Sequence, residues 1–77
     1  MSDVEKRVKE VTAKTLKIDL ARVTDESRFV EDLGAESIQS VELVAALEEE
    51  FDIEMEDEDA LAVKTVGKAI EFIGSAL

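Results

Sequence analysis

The 77-residue sequence contains no cysteine, histidine, proline, tryptophan or tyrosine. Without cysteine there is no disulfide scaffold, zinc ribbon, redox pair or thiol nucleophile, and without histidine the commonest metal ligand and general base is missing. Any chemistry of the chain itself would have to come from carboxylates, hydroxyls and lysines. So short a chain also buries a smaller fraction of its surface than a typical enzyme domain. A deep, water-excluding cleft is therefore not expected, and residues 1–77 read as a single, non-enzymatic domain.

Long apolar runs are missing as well. No stretch approaches the roughly 20 residues needed to span a bilayer, and Met1-Ser2-Asp3-Val4-Glu5 lacks the basic and apolar regions of a signal peptide. The expectation is a soluble, cytoplasmic monomer without membrane insertion. An apolar content of 45% suits a chain that folds. Basic residues are scarce: 9 Lys and Arg stand against 20 Asp and Glu, a net charge of -11. That charge opposes binding to nucleic acid or to an anionic membrane, and points to protein partners with basic surfaces. The scarcity is also localised. Residues 1–28 balance to +1 and residues 64–77 to +1, whereas residues 29–63 hold thirteen carboxylates and no Lys or Arg. Such a segment repels itself, which favours a functional over an incidental origin.

What is present reads as helix. Val4, Val8, Val11 and Leu16 lie near the i, i+4, i+7 spacing of one stripe, and Ser2 with Glu5 has the pattern of a capping box, so a first helix is expected over about residues 3–16. From Lys17 to Glu36 no period persists. Ile18, Leu20, Val23, Phe29 and Leu33 are scattered among polar residues, which suggests a structured loop that packs across the helices. From Ser37 to Phe51 a second helix is expected, with Ile38, Val41, Val44, Leu47 and Phe51 facing the core. Asp57 or Asp59 is placed to cap a short helix through Ala60, Leu61 and Val63. Thr65 is placed to cap a last helix whose stripe is Val66, Ala69, Ile70, Ile73 and Leu77. No period-two alternation is sustained. The expected fold is all-α: a small four-helix bundle with a long structured loop between helices one and two.

Gly34 brings the chain to a hydroxyl, Ser37, at the start of the second helix. Two readings stand. Ser37 is either an N-cap, worth about 0.5–2 kcal/mol, or a modification point where a phosphate ester would meet the free N–H groups and positive dipole end of a helix. It is not a self-sufficient nucleophile, because a hydroxyl needs an adjacent base and no lysine lies between Arg28 and Lys64.

The run Phe29-Val30-Glu31-Asp32-Leu33-Gly34-Ala35-Glu36-Ser37-Ile38, followed by Val41-Glu42-Leu43-Val44-Ala45-Ala46-Leu47-Glu48-Glu49-Glu50-Phe51-Asp52, closely resembles the acyl carrier proteins of dissociated (type II) fatty acid synthesis. The resemblance runs essentially end to end. It implies a carrier in which Ser37 is attached to 4'-phosphopantetheine by a phosphopantetheinyl transferase, and the arm's thiol holds acyl chains for fatty acid synthesis enzymes. It also implies recognition acids at Glu42, Glu48 and Glu49, with Glu36, Gln39 and Asp57 beside them, and a mobile third helix. An acyl pocket is implied from Phe29, Val44, Leu47, Phe51, Met55, Ala60, Val63, Ala69 and Phe72, which also read as ordinary core. The sequence departs from the family at Glu36, Ile38 and Gln39 around the serine, at Ala45, and at Glu56 before the third helix. These changes keep a specialised carrier, for polyketide, modified-lipid or amino-acyl cargo, beside the fatty acid reading. A non-carrier acidic interaction domain is the remaining alternative.

Asp52, Glu54, Glu56 and Glu58 alternate like the start of a calcium loop, but position six would be Asp57 instead of glycine and position twelve Val63 instead of an acid, so an EF-hand is excluded. No specific metal site is expected. Loose association of divalent ions with the acidic segment would still relieve its self-repulsion. Magnesium or calcium is therefore expected to raise the melting temperature more than sodium at equal ionic strength; equal shifts in a thermal melt would contradict this.

Overall fold

The computed structural model describes residues 3–77. Helix α1 spans Asp3–Leu16, α2 spans Ser37–Phe51, α3 spans Asp57–Ala62 and α4 spans Val66–Ala76, with one 3₁₀ turn at Leu20–Arg22. This is the expected all-α bundle of three longer helices and one short one. Among the described residues the only β pairing is one isolated bridge, Arg28 with Thr65.

On α1, Val8 and Leu16 are buried, and Val4 and Val11 pack half-buried beside them. Thr12 is fully buried too. Its hydroxyl donates to the Val8 carbonyl at 2.8 Å, so this buried group is satisfied within its own helix. The expected capping box of Ser2 and Glu5 involves Ser2, which lies outside the described residues.

Helix α2 corrects the expected stripe. Leu43, Leu47 and Phe51 are buried, Val44 is half-buried, and Ile38 and Val41 are 71% and 69% exposed. Steps of four keep Leu43 and Phe51 within about 40° of Leu47, whereas Val41 lies about 120° and Ile38 about 180° around the helix. The two apolar residues nearest Ser37 therefore face outward, on the same side as Glu42, Ala45 and Glu49.

Both α1 and α2 end without glycine. Lys17 and Asp52 take left-handed backbone angles, φ 57° and 53°, and the next residue's N–H reaches back five positions, Ile18 to Ala13 and Ile53 to Glu48. The 17–36 connection is ordered as expected. Val23, Phe29 and Leu33 are buried in the common core, with Ile18 packed against it; Leu20 instead stands half in solvent at 49% exposure, carried outward by the 3₁₀ turn.

Backbone bonds stitch this connection to the start of α4: Phe29 N–H to the Lys64 carbonyl (3.1 Å), Val66 N–H to Ser27 (3.0 Å) and Gly67 N–H to Asp25 (2.8 Å). Lys9 adds an ion pair to Asp25 at 2.8 Å. Thr65 caps α4, its hydroxyl oxygen accepting from Lys68 N–H at 3.1 Å. Val66, Ala69 and Ile73 are buried and Ile70 half-buried, but Leu77 is 65% exposed, because α4 stops at Ala76 and Leu77 lies beyond the packed turns. Helix α3 is capped by Glu56, ahead of both expected aspartates, Asp57 and Asp59; Asp59 supports the cap by accepting from Glu56 N–H at 3.2 Å. None of its six residues is buried.

A Cβ on Gly67 would sit 2.9 Å from the Asp25 carbonyl oxygen, while one on Gly74 would meet nothing within 4 Å. Gly67→Ala should lose about 1–3 kcal/mol by overpacking, and Gly74→Ala should gain up to about 1 kcal/mol through helix propensity. Urea denaturation of the two variants checks the opposite signs.

Candidate functional site

The approach to Ser37 is built by a tight turn. Arg28's carbonyl accepts from Asp32 and Leu33 N–H at 3.0 Å each, Gly34 N–H reaches Val30 at 3.1 Å, and Ala35 N–H reaches Phe29 at 2.9 Å. The Arg28 side chain clasps the Asp32 carboxylate through Nε at 3.1 Å and an Nη at 3.2 Å, and Arg28's own N–H adds a bond at 2.8 Å. Gly34 then turns the chain with φ 72°, in the left-handed region where a Cβ is strained. Leu33 and Ala35, on either side of it, are buried. The backbone that delivers Ser37 is thus pinned by the buried side chains of Leu33 and Ala35, four backbone hydrogen bonds and the three bonds of the Arg28–Asp32 clasp.

Ser37 is not the N-cap. Glu36 holds that position, with extended backbone angles, and forms a capping box with Gln39. Its firm half is the Glu36 N–H bond to Gln39 Oε1 at 2.9 Å. Ser37 is the first helical residue and is exposed. Among the described residues its hydroxyl makes no hydrogen bond, so it remains available at the amino end of a fifteen-residue helix, where N–H groups and the helix dipole favour an anion.

Between α2, residues 29–31 and α3 lies a mainly apolar cavity of about 370 Å³, which meets α2 at Ser40, three residues after Ser37. Phe29, Val44, Leu47, Met55, Ala60 and Val63 line it, together with Val30, Glu31, Ser40, Leu43, Leu61 and Lys64. The other expected pocket residues are elsewhere. Phe51 is buried under the Arg7 guanidinium, 4.5 Å from its ring centroid, and Ala69 and Phe72 belong to the α4 side of the core. Leu43 was recoverable from its four-residue spacing to Leu47. Leu61, 74% exposed at the rim, and Lys64 had no periodic signal, because they flank a short helix and its exit.

The expected recognition acids do not form one set. Glu42 and Glu49 are exposed on the outward face of α2 and make no ion pair among the described residues; Asp57 is exposed in the first turn of α3. Glu48 is half-buried and is occupied, its Oε2 accepting from Met55 N–H at 2.8 Å. Glu36 and Gln39 are engaged with each other. Glu50 is also engaged, by Arg7 Nε at 2.8 Å. Among the described residues no group of three acids is placed to hold a metal ion, and no helix is long and apolar enough to cross a membrane.

A family model described as a phosphopantetheine attachment site matches residues 6–73, which is most of the chain and includes every element of the site.

The Arg28 guanidinium, and secondarily its backbone N–H, holds the Asp32 carboxyl below the ordinary carboxylate range. A depressed folded-state pKa gives stability that is fully present above the unfolded value of about 3.9 and is lost as pH falls through the lower folded value. In a carboxyl-carbon NMR titration, Asp32 should show a midpoint below the value of about 3.9 for an aspartate in a model peptide. Asp32→Asn should remove this acid-range contribution; an Asp32 midpoint at or above the model-peptide value would contradict the clasp.

Proposed function

We propose that this chain, which belongs to the phosphopantetheine attachment family, is an acyl carrier protein whose arm is attached at Ser37 and whose cargo lies in the cavity between α2 and α3. Family membership makes the chain a carrier domain for covalent 4'-phosphopantetheine on a serine. The single observation that supports Ser37 as that serine is its exposed hydroxyl, free of hydrogen bonds among the described residues, at the amino end of α2. The site fits the group: a phosphodiester there would face helix N–H groups and meet no side-chain bond that must first be broken.

When bound, the arm supplies the thiol that holds acyl groups as thioesters. The chain's residues do the rest by position. The Arg28–Asp32 clasp and Gly34 fix where Ser37 points. Leu43, Leu47 and Phe29 give the cavity an apolar floor that shields a chain from water. Ile38, Val41 and Ala45 form an exposed strip beside Ser37, flanked by Glu42 and Glu49. That strip suits an enzyme surface with an apolar centre and a basic rim. Among the described residues no side chain hydrogen-bonds to the Ser37 hydroxyl as a base would, and Glu36 is turned to the helix cap, so attachment calls for a transferase with its own catalytic groups.

Fatty acid synthesis is the pathway the end-to-end resemblance favours. The departures at Glu36 and Gln39 are accounted for without a change of pathway, since the two side chains complete one capping box. Ile38 keeps the outward strip apolar.

Incubated with coenzyme A and a phosphopantetheinyl transferase, the wild-type chain should gain one arm by mass spectrometry and Ser37→Ala none. Glu42→Gln with Glu49→Gln should weaken binding to a basic acyl-transferring enzyme several-fold, more at low salt than at high. Failure to load with several transferases, or loading of Ser37→Ala, would overturn the reading.

A further inference from the structure

We propose that Glu48 is a positioning residue that holds the α3 wall of the cavity closed and so sets how long a cargo is retained. The cargo part of this inference rests on the carrier reading; the wall part stands on geometry alone.

Helix α3 has few attachments of its own. None of its residues is buried, yet Ala60 and Leu61 form one wall of the cavity, with Met55 before it and Val63 after it. The wall is hung between two anchors. At its far end the Lys64 carbonyl accepts from Phe29 N–H at 3.1 Å. At its near end nearly everything passes through Glu48: its carbonyl accepts from Asp52 and Ile53 N–H, and its carboxylate Oε2 accepts from Met55 N–H at 2.8 Å. The side-chain bond spans seven residues and is partly buried. Glu48 lies about 100° around α2 from Leu47, on the flank between core and outward face. No cation pairs with it among the described residues, in contrast to Glu50 with Arg7. Its carboxylate thus serves a backbone N–H, an interaction of the charge-assisted kind that is stronger than a neutral one. Glu42 and Glu49 are exposed and, among the described residues, make no hydrogen bond or ion pair to this wall.

The test is amide exchange at Met55 in the full, unmodified chain, followed by NMR. Glu48→Ala should speed Met55 exchange by about tenfold or more. Glu48→Gln keeps an acceptor oxygen and should stay within about threefold of wild type. Amides of Val8 and Ile73, in the common core, should keep their protection in both variants, separating a local opening from loss of the fold. On chain loaded with an octanoyl thioester at Ser37, hydroxylamine should cleave Glu48→Ala several-fold faster than wild type and Glu48→Gln at nearly the wild-type rate. Unchanged Met55 exchange in Glu48→Ala, or equal effects of the two variants, would overturn the wall assignment. Faster Met55 exchange with an unchanged thioester lifetime would overturn the retention role. A chain that cannot be loaded would overturn the carrier reading, and Met55 exchange would still decide the wall.

Discussion

Three backbone hydrogen bonds join the 17–36 connection to the start of α4, from Phe29 to Lys64, Val66 to Ser27 and Gly67 to Asp25. The site depends on this seam. A connection of twenty residues without regular repeats has a large ordering entropy to offset, and the seam does so together with the burial of Val23, Phe29 and Leu33. Its geometry requires a residue without a side chain at position 67, where a Cβ would meet the Asp25 carbonyl. The same seam places Phe29 in the cavity floor, seats the Arg28–Asp32 clasp, and fixes Lys64 as the far anchor of α3. The positions of Ser37, the cavity and its α3 wall are thereby set by one junction.

The charge distribution acts on top of that frame. The thirteen carboxylates of residues 29–63 receive cations from outside the segment, Arg7 on Glu50 and Arg28 on Glu31 and Asp32. Others are absorbed by backbone and caps, as at Glu48, Glu56 and Asp59. The outward acids Glu42 and Glu49 stay exposed, with no ion pair among the described residues. Three acids in the first turn of α3 suit the positive end of its dipole, yet the helix buries nothing. A segment that repels itself and packs weakly is where opening is expected to require the least free energy.

Much of the fold was legible because it rests on local rules. The bounds of α1 and α2 follow from apolar spacing, and Thr65 was readable as a cap because its oxygen meets Lys68 N–H. The placement of Ser37 was legible from Gly34 and the helix that follows; its role as first helical residue instead of cap was not, since Glu36 is an unusual cap that works only with Gln39. The α2 stripe was misjudged through spacings of three at Ile38, Val41 and Val44. Each such step rotates about 60° away from a face that steps of four preserve. Leu20 reads as inward by residue type and Leu77 by its spacing from Ile73, although one sits on a 3₁₀ turn and the other past a helix end. Glu48 illustrates the remaining limit. In sequence it is one of three consecutive glutamates, and only tertiary structure shows that one faces solvent, one meets Arg7 and one holds Met55.

On the carrier reading, an acyl chain tethered at Ser37 turns inward between α2 and α3 instead of lying on the outward strip. Isotope-filtered NMR of the octanoyl-loaded protein measures this directly. Contacts from the acyl methylenes to Val44, Leu47, Met55 and Val63 are predicted. Contacts confined to Ile38 and Val41, or an acyl chain that contacts no protein methyl, would contradict it.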